Sequence, residues 1–105
     1  MGALTRIYLS RPMAGYEENN HPAFEKECQR LRKAGFDVVS PHELEAADES
    51  WDSWLRADLR EMLTCEAVVT LPGWQASRGA RLETSVAIMV GMPVMSVDDV
   101  YVYRA

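Results

Sequence analysis

Ala67-Val68-Val69-Thr70-Leu71-Pro72-Gly73-Trp74-Gln75-Ala76-Ser77-Arg78-Gly79-Ala80-Arg81-Leu82-Glu83 passes from an apolar run through a glycine-bearing polar loop into a helix. The run is short, bounded by turn residues and apolar enough to be a strand buried on both faces, as in a parallel sheet. If the helix starts near Gly79, then Ala80, Val86, Ala87 and Val90 lie within roughly 60° of Glu83 on the helical wheel. A carboxylate thus sits in the middle of an apolar stripe. Burying an unpaired charge costs several kcal/mol, so Glu83 calls for a partner, a shifted pKa or a task.

Working outward, the same pattern repeats. Leu4 to Leu9 forms a strand that breaks at Ser10-Arg11-Pro12-Met13-Ala14-Gly15. His21 to Ala34 carries Phe24, Cys28 and Leu31 at helical spacing, with Gly35 in the position of a left-handed C-terminal cap. Phe36 to Pro41 reads as a second strand, and Trp51 to Cys65 as a second helix with Ser50 as N-cap and Asp52 in its first turn. After the helix that carries Glu83 and ends at Gly91, Met92 to Val97 reads as a fourth strand. The alternation from Val100 to Tyr103 allows either a fifth strand or a tail packed on a partner.

The order β-α-β-α-β-α-β predicts a single α/β domain over residues 1–105. Its expected form is a three-layer, flavodoxin/Rossmann-like sandwich with a mainly parallel sheet of four to five strands, in the order 2-1-3-4. In such sheets ligands bind beyond the carboxyl ends of the strands where strand order reverses, here between the first and third strands. The loops leaving those strands are Ser10 to Gly15 and Pro72 to Ser77. A second carboxylate points to the same region: Trp51, Trp54, Leu55, Met62 and Cys65 lie within roughly 60° of Asp58 on its helix. Two carboxylates on apolar helix faces, converging on one cleft, suit acid/base or nucleophile/acid chemistry. The alternative for each is structural: Glu83 paired with Arg78 or Arg81, and Asp58 with a neighbouring arginine.

Composition narrows the partners. The 105 residues carry a net charge of −5 with basic residues scattered, which argues against a duplex nucleic-acid footprint and favours small ligands or proteins. No run approaches the roughly 20 apolar residues of a membrane span, and Met1 to Leu9 lacks the form of a signal peptide. Cys28 and Cys65 read as reduced core thiols of a cytoplasmic protein. With only His21 and His42 and no ligand spacing, no metal site is expected, and the reading reached below calls for no organic cofactor either. A guanidinium and glycine N–H groups make Ser10, Arg11 and Gly15 either a phosphate or sugar cradle or an ordinary loop. Trp74, beside Gly73, either stacks on a base or packs in a core or interface. Trp51 and Trp54 have the spacing of core or interface residues.

Ile7-Tyr8-Leu9-Ser10-Arg11-Pro12-Met13-Ala14-Gly15, Ala57-Asp58-Leu59, Cys65-Glu66-Ala67-Val68-Val69 and Gly79-Ala80-Arg81-Leu82-Glu83 resemble the nucleoside 2-deoxyribosyltransferase superfamily. The match is best to its branch of small phage and bacterial domains, and the superfamily includes 2'-deoxynucleoside 5'-phosphate N-glycosidases. The resemblance spans about residues 4–97. It implies that Glu83 is the nucleophile and that Asp58 contacts base or sugar and assists proton transfer. It also implies that Tyr8, Ser10, Arg11, Gly15 and Ser77 touch sugar or phosphate. One departure is visible, since members commonly carry a further glycine where Glu83 is flanked by Leu82 and Thr84. The resemblance further implies a homo-oligomer, a dimer or larger, whose neighbouring subunit completes the site, with Tyr101 or Tyr103 as candidate contributions. The expected activity is cleavage or transfer at the N-glycosidic bond of a 2'-deoxynucleoside or its 5'-monophosphate. The alternatives are a non-catalytic nucleotide-binding or sensing module, and an interaction protein that uses its exposed tryptophans.

Overall fold

The computed structural model describes residues 5–10, 21–41 and 50–103. Four parallel strands lie in the order β2-β1-β3-β4, namely β1 (Arg6–Ser10), β2 (Asp37–Val39), β3 (Ala67–Thr70) and β4 (Val94–Ser96). The helices are α1 (His21–Lys33), α2 (Trp51–Met62), α3 (Arg78–Met89) and the single-turn α4 (Val97–Val100). The expected α/β architecture and strand order are therefore present.

Strand alternation sorts the core into two layers. Ile7 and Leu9, Val38, Ala67 and Val69 face Phe24, Cys28 and Leu31 of α1 and Val97 and Val100 of α4. Tyr8, Val39, Val68 and Val94 face the other way, against Leu59 and Met62 of α2 and Val86 and Ala87 of α3. The register aligns Val39, Tyr8, Val68 and Val94 in one row across the sheet. One step toward the C-terminal edge on that same face, Ser10 pairs with Thr70. The layer between the sheet and α2/α3 is thus apolar at one level and hydroxyl-bearing at the next.

Local chemistry sets the helix ends. Ser50 Oγ accepts from Ser53 N at 3.1 Å, the N-cap expected for α2. Gly35 adopts φ 106°, and Phe36 N donates to Leu31 O at 3.2 Å, closing α1 in a Schellman-type cap. Pro72 and Gly73 form the centre of a type II turn: Trp74 N donates to Leu71 O at 3.2 Å and Gly73 has φ 89°. At the opposite edge of the sheet Arg6 bonds Asp37 at 2.9 Å, tying the starts of β1 and β2 together.

Among the described residues there is no fifth strand: Val97–Val100 and Tyr101–Tyr103 are helical turns. Ser96 Oγ accepts from Asp99 N at 3.2 Å and caps α4, with Asp98 and Asp99 in its first turn. Tyr101–Tyr103 continues as one 3-10 turn. The alternation of Val100 to Tyr103 reflects burial of Val100 and partial burial of Tyr101 against the α1 layer, while Val102 is exposed. Tyr101 also lies against Arg30, whose guanidinium carbon is 5.4 Å from the ring centroid. No helix among the described residues is long and apolar enough to cross a membrane.

Gly73 is the residue on which the β3–α3 connection turns. Any L-residue placed at its positive φ costs about 1–2 kcal/mol. Gly73→Ala is expected to lower the melting temperature by roughly 4–8 °C per kcal/mol lost, as measured by thermal unfolding.

Candidate functional site

β1 places Tyr8 and Ser10, two residues apart, on the face covered by α2 and α3. Both are fully buried. Tyr8 Oη donates to Glu83 Oε2 at 2.8 Å, and Ser10 Oγ donates to Glu83 Oε1 at 2.7 Å. Each carboxylate oxygen of Glu83 thus receives a hydroxyl from the central strand. The residue is 4% exposed, in keeping with its place on the apolar stripe of α3.

Asp58 arrives from α2, 8% exposed, and shares a hydrogen bond with Glu83. Burial pushes the Glu83 carboxyl up, the Ser10 hydroxyl pulls it down, the Asp58 charge pushes it up again and the Tyr8 hydroxyl opposes. The balance lies at about 7. Two carboxyl groups this close titrate as a pair, and the pair holds one proton in the neutral range. The arginines that a purely structural glutamate would have used are engaged elsewhere. Arg81 Nη1 donates to Gln75 O at 2.7 Å, and Arg78 stacks on Trp51 with 4.0 Å between guanidinium carbon and ring centroid.

The other sequence-predicted residues divide. Ser77 is buried and its Oγ accepts from Ala80 N at 3.2 Å, so it caps α3 and sets the rotation that aims Glu83 inward. Gly73 supplies the turn that precedes it. Trp74 opens the 3-10 turn Trp74–Ala76 and is half-buried. Arg11, Gly15 and His42 lie outside the described residues. Cys28 and Cys65 are both buried free thiols; Cys65 follows the end of α2, and burial raises its pKa. Trp54 is half-buried, whereas Trp51 is 41% exposed under the Arg78 guanidinium. That stack was not predicted from sequence, because it joins two helices whose relative placement local patterning does not specify. Among the described residues no three His, Cys, Asp or Glu side chains gather as a metal site requires.

Glu83, Asp58, Tyr8 and Ser10 thus meet on β1 and the two helices beside the β1/β3 reversal. The arrangement can hold one carboxylate ionised beside one carboxylic acid.

Residues 5–96 match the family described as "Domain of unknown function (DUF4406)". No curated protein matches the chain. Among solved structures, a conserved protein from Enterococcus faecalis V583 is similar with a TM-score of 0.73 and 22% identity, over 90% of this chain and 63% of that one. A 2-deoxyribosyltransferase from the psychrotolerant bacterium Bacillus psychrosaccharolyticus is similar with a TM-score of 0.64 and 24% identity, over 88% of this chain and 71% of that one. The chain therefore spans less than two thirds of the first of these structures, and at these identities the likeness is one of fold.

The raised Glu83 pKa links protonation to stability. An isolated glutamate in the unfolded chain titrates near 4.5 and the folded one near 7, so the folded state binds more protons between these values. This contribution is complete below about 4.5 and is lost as pH rises through about 7, amounting to at most about 3 kcal/mol. Glu83→Gln removes it. The difference in unfolding free energy between wild type and Glu83→Gln is expected to shift in favour of the variant from pH 5 to 8, as measured by denaturant titration.

Proposed function

We propose that this chain, which belongs to the family described as a domain of unknown function (DUF4406), cleaves or transfers at the N-glycosidic bond of a 2'-deoxynucleoside or its 5'-monophosphate. The observation that carries this reading is the Asp58–Glu83 pair, with Tyr8 and Ser10 donating to Glu83, at the crevice where α/β sheets take small ligands. The fold shared with a 2-deoxyribosyltransferase, and the order and spacing of the motifs around Tyr8, Asp58 and Glu83, support the same chemistry.

In this mechanism a Glu83 oxygen attacks the anomeric carbon and the bond from that carbon to the base nitrogen breaks. The bonding electrons leave with the base, which takes a proton from Asp58. The product is a glycosyl ester on Glu83. Water, or the nitrogen of a second base, then attacks the same carbon and gives its proton to the Asp58 carboxylate, and Glu83 departs as carboxylate. Two displacements retain configuration, as paired carboxyl groups at short separation do in glycosidases. Tyr8 and Ser10 hold Glu83 in one rotamer and stabilise its charge while water is excluded. Hydrolysis and transfer differ only in what resolves the ester.

Incubation with a panel of deoxynucleosides and their monophosphates, read by chromatography for free base, tests the proposal. Glu83→Ala is expected to abolish base release and Asp58→Asn to reduce it at least about 100-fold. Because the singly protonated pair is the working form, the rate should fall as pH rises above about 7. Full activity in Glu83→Ala rejects the nucleophile. Ligand-induced thermal stabilisation without base release from any substrate identifies a binding module instead.

A further inference from the structure

Trp51 and Arg78 are the first residues of the two helices that carry the carboxylates, and their side chains meet across the gap. Trp51 precedes Asp58 by seven residues, two helical turns, which puts both on one face of α2 roughly 10 Å apart along its axis. Arg78 precedes Glu83 by five residues on α3. The cation–π stack therefore spans α2 and α3 on the C-terminal side of the sheet from the carboxyl pair. On the other side of the pair, Met62 of α2 and Ala87 of α3 enter one apolar cluster. The Asp58–Glu83 contact lies between these two struts.

Two features argue that the stack is more than a surface contact. A cation at the first position of a helix works against the helix dipole, so α3 gains nothing for its own stability by placing Arg78 there. Moreover, the contact it brackets is self-repelling: once both carboxyl groups ionise, they push α2 and α3 apart. Something outside the pair has to hold the helices at that spacing, and the stack does so where the apolar cluster does not reach.

We propose that Trp51 and Arg78 are positioning residues, whose stack clamps the N-terminal turns of α2 and α3 so that Asp58 stays in hydrogen-bonding reach of Glu83. The importance of the clamp for turnover rests on the function proposed above; its effect on the pair does not. Among the described residues, the titratable groups facing Glu83 are Asp58 from α2 and the Tyr8 hydroxyl from β1, with the Ser10 hydroxyl beside them. β3 presents Val68 and Thr70 on this face, neither of which titrates.

The test is an NMR titration of the full chain with 13C-labelled Asp and Glu carboxyl groups, in wild type, Trp51→Ala, Arg78→Ala and the double variant. Releasing the clamp separates and hydrates the pair, and both changes lower its upper titration step. Each single variant is expected to move that step down by about one pH unit. The double variant should move it no further, while Trp51→Phe and Arg78→Lys, which keep a ring and a cation, should retain most of the wild-type value. An upper step unchanged in Arg78→Ala, or additive shifts in the double variant, overturns the clamp. Turnover is assayed separately: absent base release with the expected titration rejects the proposed function and leaves the clamp standing.

Discussion

The structure turns on one buried carboxylate and the three groups around it. Glu83 lies under α3 with almost no exposure, where an isolated charge would cost several kcal/mol. Tyr8 and Ser10 return part of that cost through hydrogen bonds to the carboxylate, and burial together with Asp58 raises the affinity of Glu83 for a proton that removes the charge. This arrangement constrains everything around it. β1 must lie at the centre of the sheet with Tyr8 and Ser10 on the α2/α3 face. The turn at Pro72-Gly73 must deliver Ser77 to cap α3 at one rotation only, because a shift of one residue carries Glu83 about 100° away from its donors.

The two faces of the sheet divide the labour that follows. The core of the α1/α4 layer is filled by aliphatic and aromatic side chains with Cys28 among them, and their burial contributes stability. The α2/α3 layer is apolar along the row Val39–Tyr8–Val68–Val94 and becomes polar at the next step, where Ser10 and Thr70 pair. A site placed at that boundary inherits rigid walls from the apolar row and low dielectric from the helices. The hydroxyl row supplies the hydrogen bonds. A loop could not hold two hydroxyls at 2.7 and 2.8 Å from a single carboxylate with comparable order.

Much of this was legible in the sequence, for identifiable reasons. The strand order follows from alternating apolar runs and amphipathic helices, and the caps at Ser50 and Gly35 follow from local chemistry. Glu83 and Asp58 stood out as charges on apolar stripes, a signal that needs no knowledge of tertiary structure. Val100 to Tyr103 was misleading because a period of two also arises when a single helical turn and a 3-10 turn bury alternate residues. The capping serine at Ser96, with Asp98 and Asp99 after it, was the cue to helix. From the residues alone nothing marked Tyr8 as a donor, since a tyrosine in an apolar strand is first a core residue; the family resemblance brought it forward. The Trp51–Arg78 stack had no sequence signature at all, because the helices are 27 positions apart at that point and only the sheet brings them together.

The pair is also asymmetric before any ligand arrives. Both oxygens of Glu83 accept hydroxyl donors, which favour its ionised form, whereas burial and the neighbouring Asp58 favour its protonated form. Burial and the Asp58 charge raise the affinity of Glu83 for a proton, and the Ser10 and Tyr8 hydroxyls oppose them. The same environment therefore acts on Glu83 in two opposed ways: desolvation and Asp58 retain a proton near neutrality, and the β1 hydroxyls limit how far that affinity rises. Removing the hydroxyls would leave desolvation unopposed and push the Glu83 carboxyl higher still, whereas removing Asp58 would let it fall.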